Sequence, residues 1–135
     1  MKRSSFLVVK GGESSEKDIS LRTAECVEKA FDRVGIRYRV LKVRSVFDVV
    51  SSSLDDVDYV FNALHGGDGE NGVIQGILDL MGVSYNGAGR EASTIGLSKI
   101  LTKAVAVANS VAVPKGMISI SGGEDYNEVK KMLGR

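Results

Sequence analysis

His65 is the only histidine of the chain, and it opens the string His65-Gly66-Gly67-Asp68-Gly69-Glu70-Asn71-Gly72. An imidazole in such a loop can orient a substrate, donate to a carboxylate or exchange a proton near neutrality; it can also simply pin the loop. Glycines at 66, 67, 69 and 72 let the backbone pass close to a ligand or take up positive φ, at an entropic cost that a merely connecting loop need not bear. A second string, Gly11-Gly12-Glu13-Ser14-Ser15-Glu16, stands before a helical pattern whose amino end offers unpaired N–H groups to an anion. No Gly-Lys-Ser/Thr follows it, and Glu13, Glu16 and Asp18 suit a ligand ammonium or a capping role better than a phosphate. Lys99 and Lys103 lie four apart on one helical face, where they could meet a polyphosphate or only water.

The run Gly67-Asp68-Gly69-Glu70-Asn71-Gly72 also satisfies G-x-G-x-x-G, with Glu91 about 20 residues further on, as in a dinucleotide site. The chemistry opposes that reading. Asp68 and Glu70 put negative charge where a pyrophosphate would lie, and the run follows the third strand of the pattern instead of the first. One histidine with no cysteine near it is a poor zinc site, so no metal ligands are assigned.

The elements that must position these strings alternate. Phe6-Leu7-Val8-Val9 reads as a strand covered on both faces. Ile19, Ala24, Val27, Ala30, Phe31 and Val34 recur at helical spacing before Gly35. A strand around Tyr38 to Val43, a weak helix from Val46 to Leu54, a strand from Val57 to Leu64, a helix from Val73 to Met81 and a short strand Val83-Ser84-Tyr85 follow. Such alternation predicts an α/β fold: an open parallel sheet with right-handed crossovers and helices on both faces. Ligands of these sheets collect beyond the carboxyl ends of the strands, so the loops at 11–16, 66–72 and 87–89 should share one edge. From Arg90 the texture changes to a helical stretch reaching about Asn109, a strand around 113–121 and a last helix near 124–133, which reads as the opening of an unfinished domain or as decoration on the first.

A chain of 135 residues fits one domain, with or without part of another, and can bury a real core. Eighteen basic and 17 acidic residues are interspersed, so no broad basic face invites nucleic acid or an anionic membrane; the expected partner is a small molecule or a protein. Cys26 stands alone in the helical pattern, which excludes an internal disulfide and predicts a buried thiol. The apolar run after Met1-Lys2-Arg3 is too short for a signal peptide or a membrane span, and a cytoplasmic location is expected.

Taken together the strings resemble the amino-terminal part of the D-alanine–D-alanine ligases of the ATP-grasp superfamily. Gly11-Gly12-Glu13-Ser14-Ser15-Glu16-Lys17-Asp18-Ile19-Ser20-Leu21 is similar to the family's first signature. Ala63-Leu64-His65-Gly66 through Gly69-Glu70-Asn71-Gly72 and Gln75-Gly76 is similar to its second, where the position of Asn71 is usually aspartate. Tyr85-Asn86-Gly87-Ala88-Gly89, Ala92-Ser93, and Ser98-Lys99 with Thr102-Lys103 continue the likeness to about Pro114, with Ser98 standing where the family usually has aspartate.

The resemblance implies that Glu16 holds the ammonium of the first D-alanine with Ile19 nearby, that His65 borders the reacting D-alanines, and that Lys99 contacts ATP phosphates. Gly66, Glu70 and Tyr85 would support the loops. It implies a Rossmann-like substrate-binding domain over residues 1–95 and the start of a central ATP-binding domain over 96–135, with a homodimer built largely through the first. In the family ATP phosphorylates the first D-alanine, the amine of the second attacks the acyl phosphate, and Mg²⁺ offsets the phosphate charge in peptidoglycan precursor synthesis. The nucleotide-gripping lysines, the transition-state arginine and the metal ligands would follow Arg135, so no catalytic set is complete here and this chain alone is expected to be inactive. The competing expectation is a small stand-alone α/β module that binds an amino-acid-like ligand or dimerises.

Overall fold

The computed structural model describes residues 5–116 and 126–134. The chain divides into two compact units, Met1–Leu97 and Ser98–Arg135. The first holds a four-stranded sheet of β1 (Phe6–Gly11), β2 (Tyr38–Val43), β3 (Tyr59–Asn62) and β4 (Ser84–Tyr85). All neighbouring pairs are parallel and the order is β2-β1-β3-β4. The chain therefore runs outward from β1 to β2, returns past β1 to β3 and continues to β4. Such a reversal leaves a crevice beyond the carboxyl ends of β1 and β3.

Alternation along the strands divides the core. Leu7 and Val9 point to one face with Val43, Val60, Ile74 and Leu78, while Val8 points to the other with Ala24 and Ala63. Helix α1 (Lys17–Val34) covers the Val8 face; α2 (Phe47–Val50) and α3 (Val73–Leu80) belong to the opposite side, where Val49, Ile74 and Leu78 are fully buried. The expected open parallel sheet with helices on both faces is thus present.

Helix α1 buries Ser20 and Ala24 and turns Val27 and Phe31 partly inward. Phe31 packs on the rings of Phe6 and Tyr38 at centroid distances of 5.4 and 5.5 Å. The helix ends at Gly35, and Ile36 N–H donates to Phe31 O at 3.0 Å. Ile19, Ala30 and Val34, counted in the apolar stripe from spacing alone, are exposed. Cys26 is exposed too, which corrects the expected buried thiol. It lies two residues past Ala24, about 200° round the helix from the face that meets the sheet.

Several further expectations change in extent, among them the third strand, shortened from Val57–Leu64 to Tyr59–Asn62, and the fourth, shortened to Ser84–Tyr85. The first strand continues to Gly11, the weak helix shrinks to Phe47–Val50, and the stretch from Arg90 is two helices, α4 (Arg90–Leu97) and α5 (Lys99–Ala108). The break is at Ser98, whose extended backbone (φ −86°, ψ 107°) starts a new helix and whose hydroxyl accepts from Leu101 N–H at 3.3 Å. In the second unit α5 is followed by irregular residues 111–116 and later by α6 (Tyr126–Leu133). Lys103 Nζ donates to Pro114 O at 3.2 Å. The strand expected around 113–121 falls on that irregular segment and, from 117, outside the described residues. Among the described residues no helix is long and apolar enough to cross a membrane.

Candidate functional site

Beyond the carboxyl ends of β1 and β3, the two glycine-rich loops that follow these strands meet. Ser14 is the joint between them: its hydroxyl donates to the carbonyl of His65 at 2.5 Å and accepts from Glu16 N–H at 3.1 Å. Gly66 lies directly against this pair. It has φ +66°, and a Cβ there would come within 3.0 Å of Glu16 Oε2 and 3.3 Å of Ser14 Oγ. Only glycine both adopts that backbone and leaves room for the carboxylate. The Glu16 carboxylate, 49 positions before His65 in the chain, is thereby held beside the histidine loop.

A cleft of about 250 Å³ opens here, lined on one side by Gly12, Glu13 and Ser14 and on the other by His65, Gly66 and Asp68. Its charged side chains are acidic, apart from what His65 carries when protonated. Such a lining attracts an ammonium and repels a phosphate.

The imidazole of His65 has a polar neighbour at each nitrogen. Nε2 is 2.9 Å from Thr23 Oγ1 on α1, and Nδ1 is 3.4 Å from Glu70 Oε1 across its own loop. Between them the loop makes one 3-10 turn, Gly67–Gly69. The carbonyl of Gly69 accepts twice, from Asn62 Nδ2 at 2.9 Å and Gln75 Nε2 at 3.2 Å. Asn62 is held in turn by Asn86: its N–H donates to Asn86 Oδ1 at 2.7 Å and its carbonyl accepts from Asn86 Nδ2 at 3.2 Å. A cavity of about 360 Å³ behind His65 is bordered by Thr23, Asn62, Glu70, Gln75 and Asn86. The loop after β4 thus joins the other two at one edge of the sheet, as its glycines led one to expect.

The remaining residues singled out in the sequence fall as follows. Ile19 is on the first turn of α1 and half exposed. Tyr85 ends β4 and donates from its hydroxyl to Asp79 Oδ1 at 2.8 Å, tying β4 to α3. Asn71, standing for the usual aspartate, donates to Asp68 Oδ1 at 2.9 Å and accepts from Val73 N–H at 3.0 Å, so the amide serves the turn and the start of α3. Lys99 lies on the first turn of α5 in the second unit, whereas the cleft is built wholly from the first. Among the described residues no three side chains of His, Cys, Asp or Glu come together as metal ligands.

Thr23 and Asn62 were not singled out from the sequence, and Gln75 and Asn86 entered only as members of the family-like strings, with no role of their own. The one signal available was Gln75, a polar residue at an inward position between Ile74 and Leu78.

Comparison with known proteins finds similarity to one enzyme family in sequence and in fold. A family model described as the D-ala D-ala ligase N-terminus matches residues 44–88. The chain is 37% identical over 123 residues to the D-alanine–D-alanine ligase of Carboxydothermus hydrogenoformans, an alignment covering 89% of this chain and 38% of that protein. It is 40% identical over 113 residues to the enzyme of the same name from Zymomonas mobilis, covering 83% of this chain and 35% of that one. Its fold superposes on a crystal structure of D-alanine–D-alanine ligase from Bacillus anthracis complexed with ATP, with a TM-score of 0.84 and 25% identity over 97% of this chain and 43% of the other. The chain therefore spans little more than a third of the length of these curated relatives.

Proposed function

We propose that this chain, which belongs to the D-alanine–D-alanine ligase family and corresponds to the amino-terminal portion of its members, forms the wall of the ligase that receives the first D-alanine. The observation that carries this reading is the Glu16 carboxylate set against Gly66 of the His65 loop, next to a cleft whose lining carboxylates are Glu13 and Asp68. Glu16 would accept from the substrate ammonium, Ile19 would lie near its methyl group, and His65 would border the reacting carboxyl and amine. Gly66, Glu70 and Tyr85 would hold the loops in place.

In the whole enzyme, on this reading, the carboxylate of the first D-alanine takes the γ-phosphoryl of ATP and releases ADP. The amine of the second then attacks that acyl phosphate, forming the peptide bond and releasing inorganic phosphate. Lys99 would meet the ATP phosphates from the first turn of α5, in a central domain that begins near residue 96. The first unit would then be the substrate-binding domain, over about residues 1–95. Mg²⁺ would accompany the ATP; the described residues do not fit a metal, and none of the roles given to them runs through one. We further propose that the parent enzyme is a cytoplasmic homodimer, joined through this domain, that supplies the dipeptide of peptidoglycan precursors, and that these 135 residues do not ligate by themselves.

Binding is tested on this chain directly. D-alanine titrated into the ¹⁵N-labelled protein should move the resonances of residues 64–70 and the single imidazole. Glu16→Gln should weaken that response roughly tenfold, as expected for loss of a charge-assisted hydrogen bond. Equal responses in both proteins, or none in the wild type at high D-alanine, would overturn the assignment of Glu16. Formation of D-alanyl-D-alanine from D-alanine, ATP and Mg²⁺ by this chain would refute its inactivity.

A further inference from the structure

We infer that Gln75 is a positioning residue for His65: through the Gly69 carbonyl and Glu70, it selects the imidazole tautomer that carries its proton on Nδ1. This deepens the proposed D-alanine site and rests on that reading only for the use made of His65, not for the geometry.

Gln75 is only 5% exposed, and among the described residues its Oε1 has no hydrogen-bond partner. A buried carbonyl without a donor is destabilising, and an apolar residue of similar size would avoid the penalty. The compensating contact is made by Nε2, which donates to Gly69 O at 3.2 Å beside the Asn62 amide at 2.9 Å. Two donors from different elements, β3 and α3, fix that one carbonyl, and the peptide it belongs to leads directly into Glu70. Gly69 also packs tightly on Leu64, whose Cβ would lie 2.5 Å from a Cβ added at this position.

Glu70 is thereby held with Oε1 3.4 Å from His65 Nδ1. An ionised carboxylate can only accept, so a neutral ring presents Nδ1–H to it and leaves Nε2 to accept from the Thr23 hydroxyl at 2.9 Å. Free imidazole side chains favour the other tautomer, with the proton on Nε2. Among the described residues the ion pair recorded for Glu70 is the one with His65.

The chain's single histidine makes the test direct. Long-range ¹H–¹⁵N correlation of the labelled protein, at a pH where the ring is neutral, should show mainly the Nδ1–H form. In Gln75→Met the ratio of Nδ1–H to Nε2–H should fall roughly threefold or more while the backbone amide spectrum stays folded. An unchanged ratio in folded Gln75→Met overturns the inference. Should that variant not fold, two readouts on folded proteins decide. The side-chain amide protons of Gln75 in the wild type should exchange far more slowly than those of an exposed glutamine, and Glu70→Ala should release the Nδ1–H preference. Fast exchange, or an unchanged ratio in Glu70→Ala, overturns it equally. None of these measurements involves D-alanine, so a protein that keeps the tautomer but ignores D-alanine refutes the proposed site and leaves this inference standing.

Discussion

At the scale of single residues, Gly66 decides whether the Glu16 carboxylate can stand beside the histidine loop. Gly66→Ala forces a side chain into left-handed backbone and onto Glu16 Oε2, 3.0 Å from the added carbon. It should cost about 1–2 kcal/mol in urea unfolding and also weaken the response to D-alanine. A variant as stable as the wild type would show that the loop relaxes freely. The meeting of the Glu16 and His65 loops was legible in the sequence, because glycine-rich loops that follow strands of one parallel sheet gather along its carboxyl edge. The bonds made by Thr23, Asn62, Gln75 and Asn86 were not, because their partners are a ring nitrogen or backbone groups that only the fold brings near; Thr23 meets His65 across 42 positions. Cys26 was misread for a related reason: a thiol within an apolar pattern looks buried until the inward face is known to run through Ser20 and Ala24.

At the scale of elements, boundaries are set by individual side chains. Ser98 divides what its surroundings would allow to be one helix, since the residues on both sides have helical spacing and neither glycine nor proline intervenes at 97–99. Ser98→Ala should destabilise α5 by about 1 kcal/mol, seen as faster amide exchange at residues 99–102. Tyr85 ties β4 to α3 and carries a pH signature. Burial first, and then the hydrogen bond to Asp79, raise its phenol above the ordinary value of 10.0. A folded value above the unfolded one means that the stabilisation is complete below about pH 10 and is lost as pH rises through the folded value. Tyr85→Phe should therefore flatten part of the loss in urea midpoint above about pH 10. Tyr38, raised likewise by burial and then by Asp32, and Lys29, raised by its hydrogen bond to Glu25, contribute to what remains. An alkaline profile identical to the wild type would show that Tyr85 does not contribute.

At the scale of the whole molecule, the alternation of strands and helices was enough to read the parallel sheet and the edge on which its loops gather. It was not enough for the second unit, whose α5 exposes Ile100, Leu101, Val105 and Val107 and shows no single inward face of its own. Stability of the first unit rests on the core between the sheet and α3, so Ile74→Ala, at a fully buried position, should cost roughly 2–5 kcal/mol in chemical denaturation. A loss below about 1 kcal/mol would place the main core elsewhere. The Asn86 amide has a consequence for the molecule's behaviour in crowded solution. It bonds the Asn62 backbone much as another strand residue would, yet it ends the pairing after a β4 of only two residues. That border of the sheet offers almost nothing on which a foreign strand could grow, while the opposite border, β2, turns Arg39 and Lys42 to solvent. Both margins are blunted against edge-to-edge aggregation, one by brevity and the other by charge.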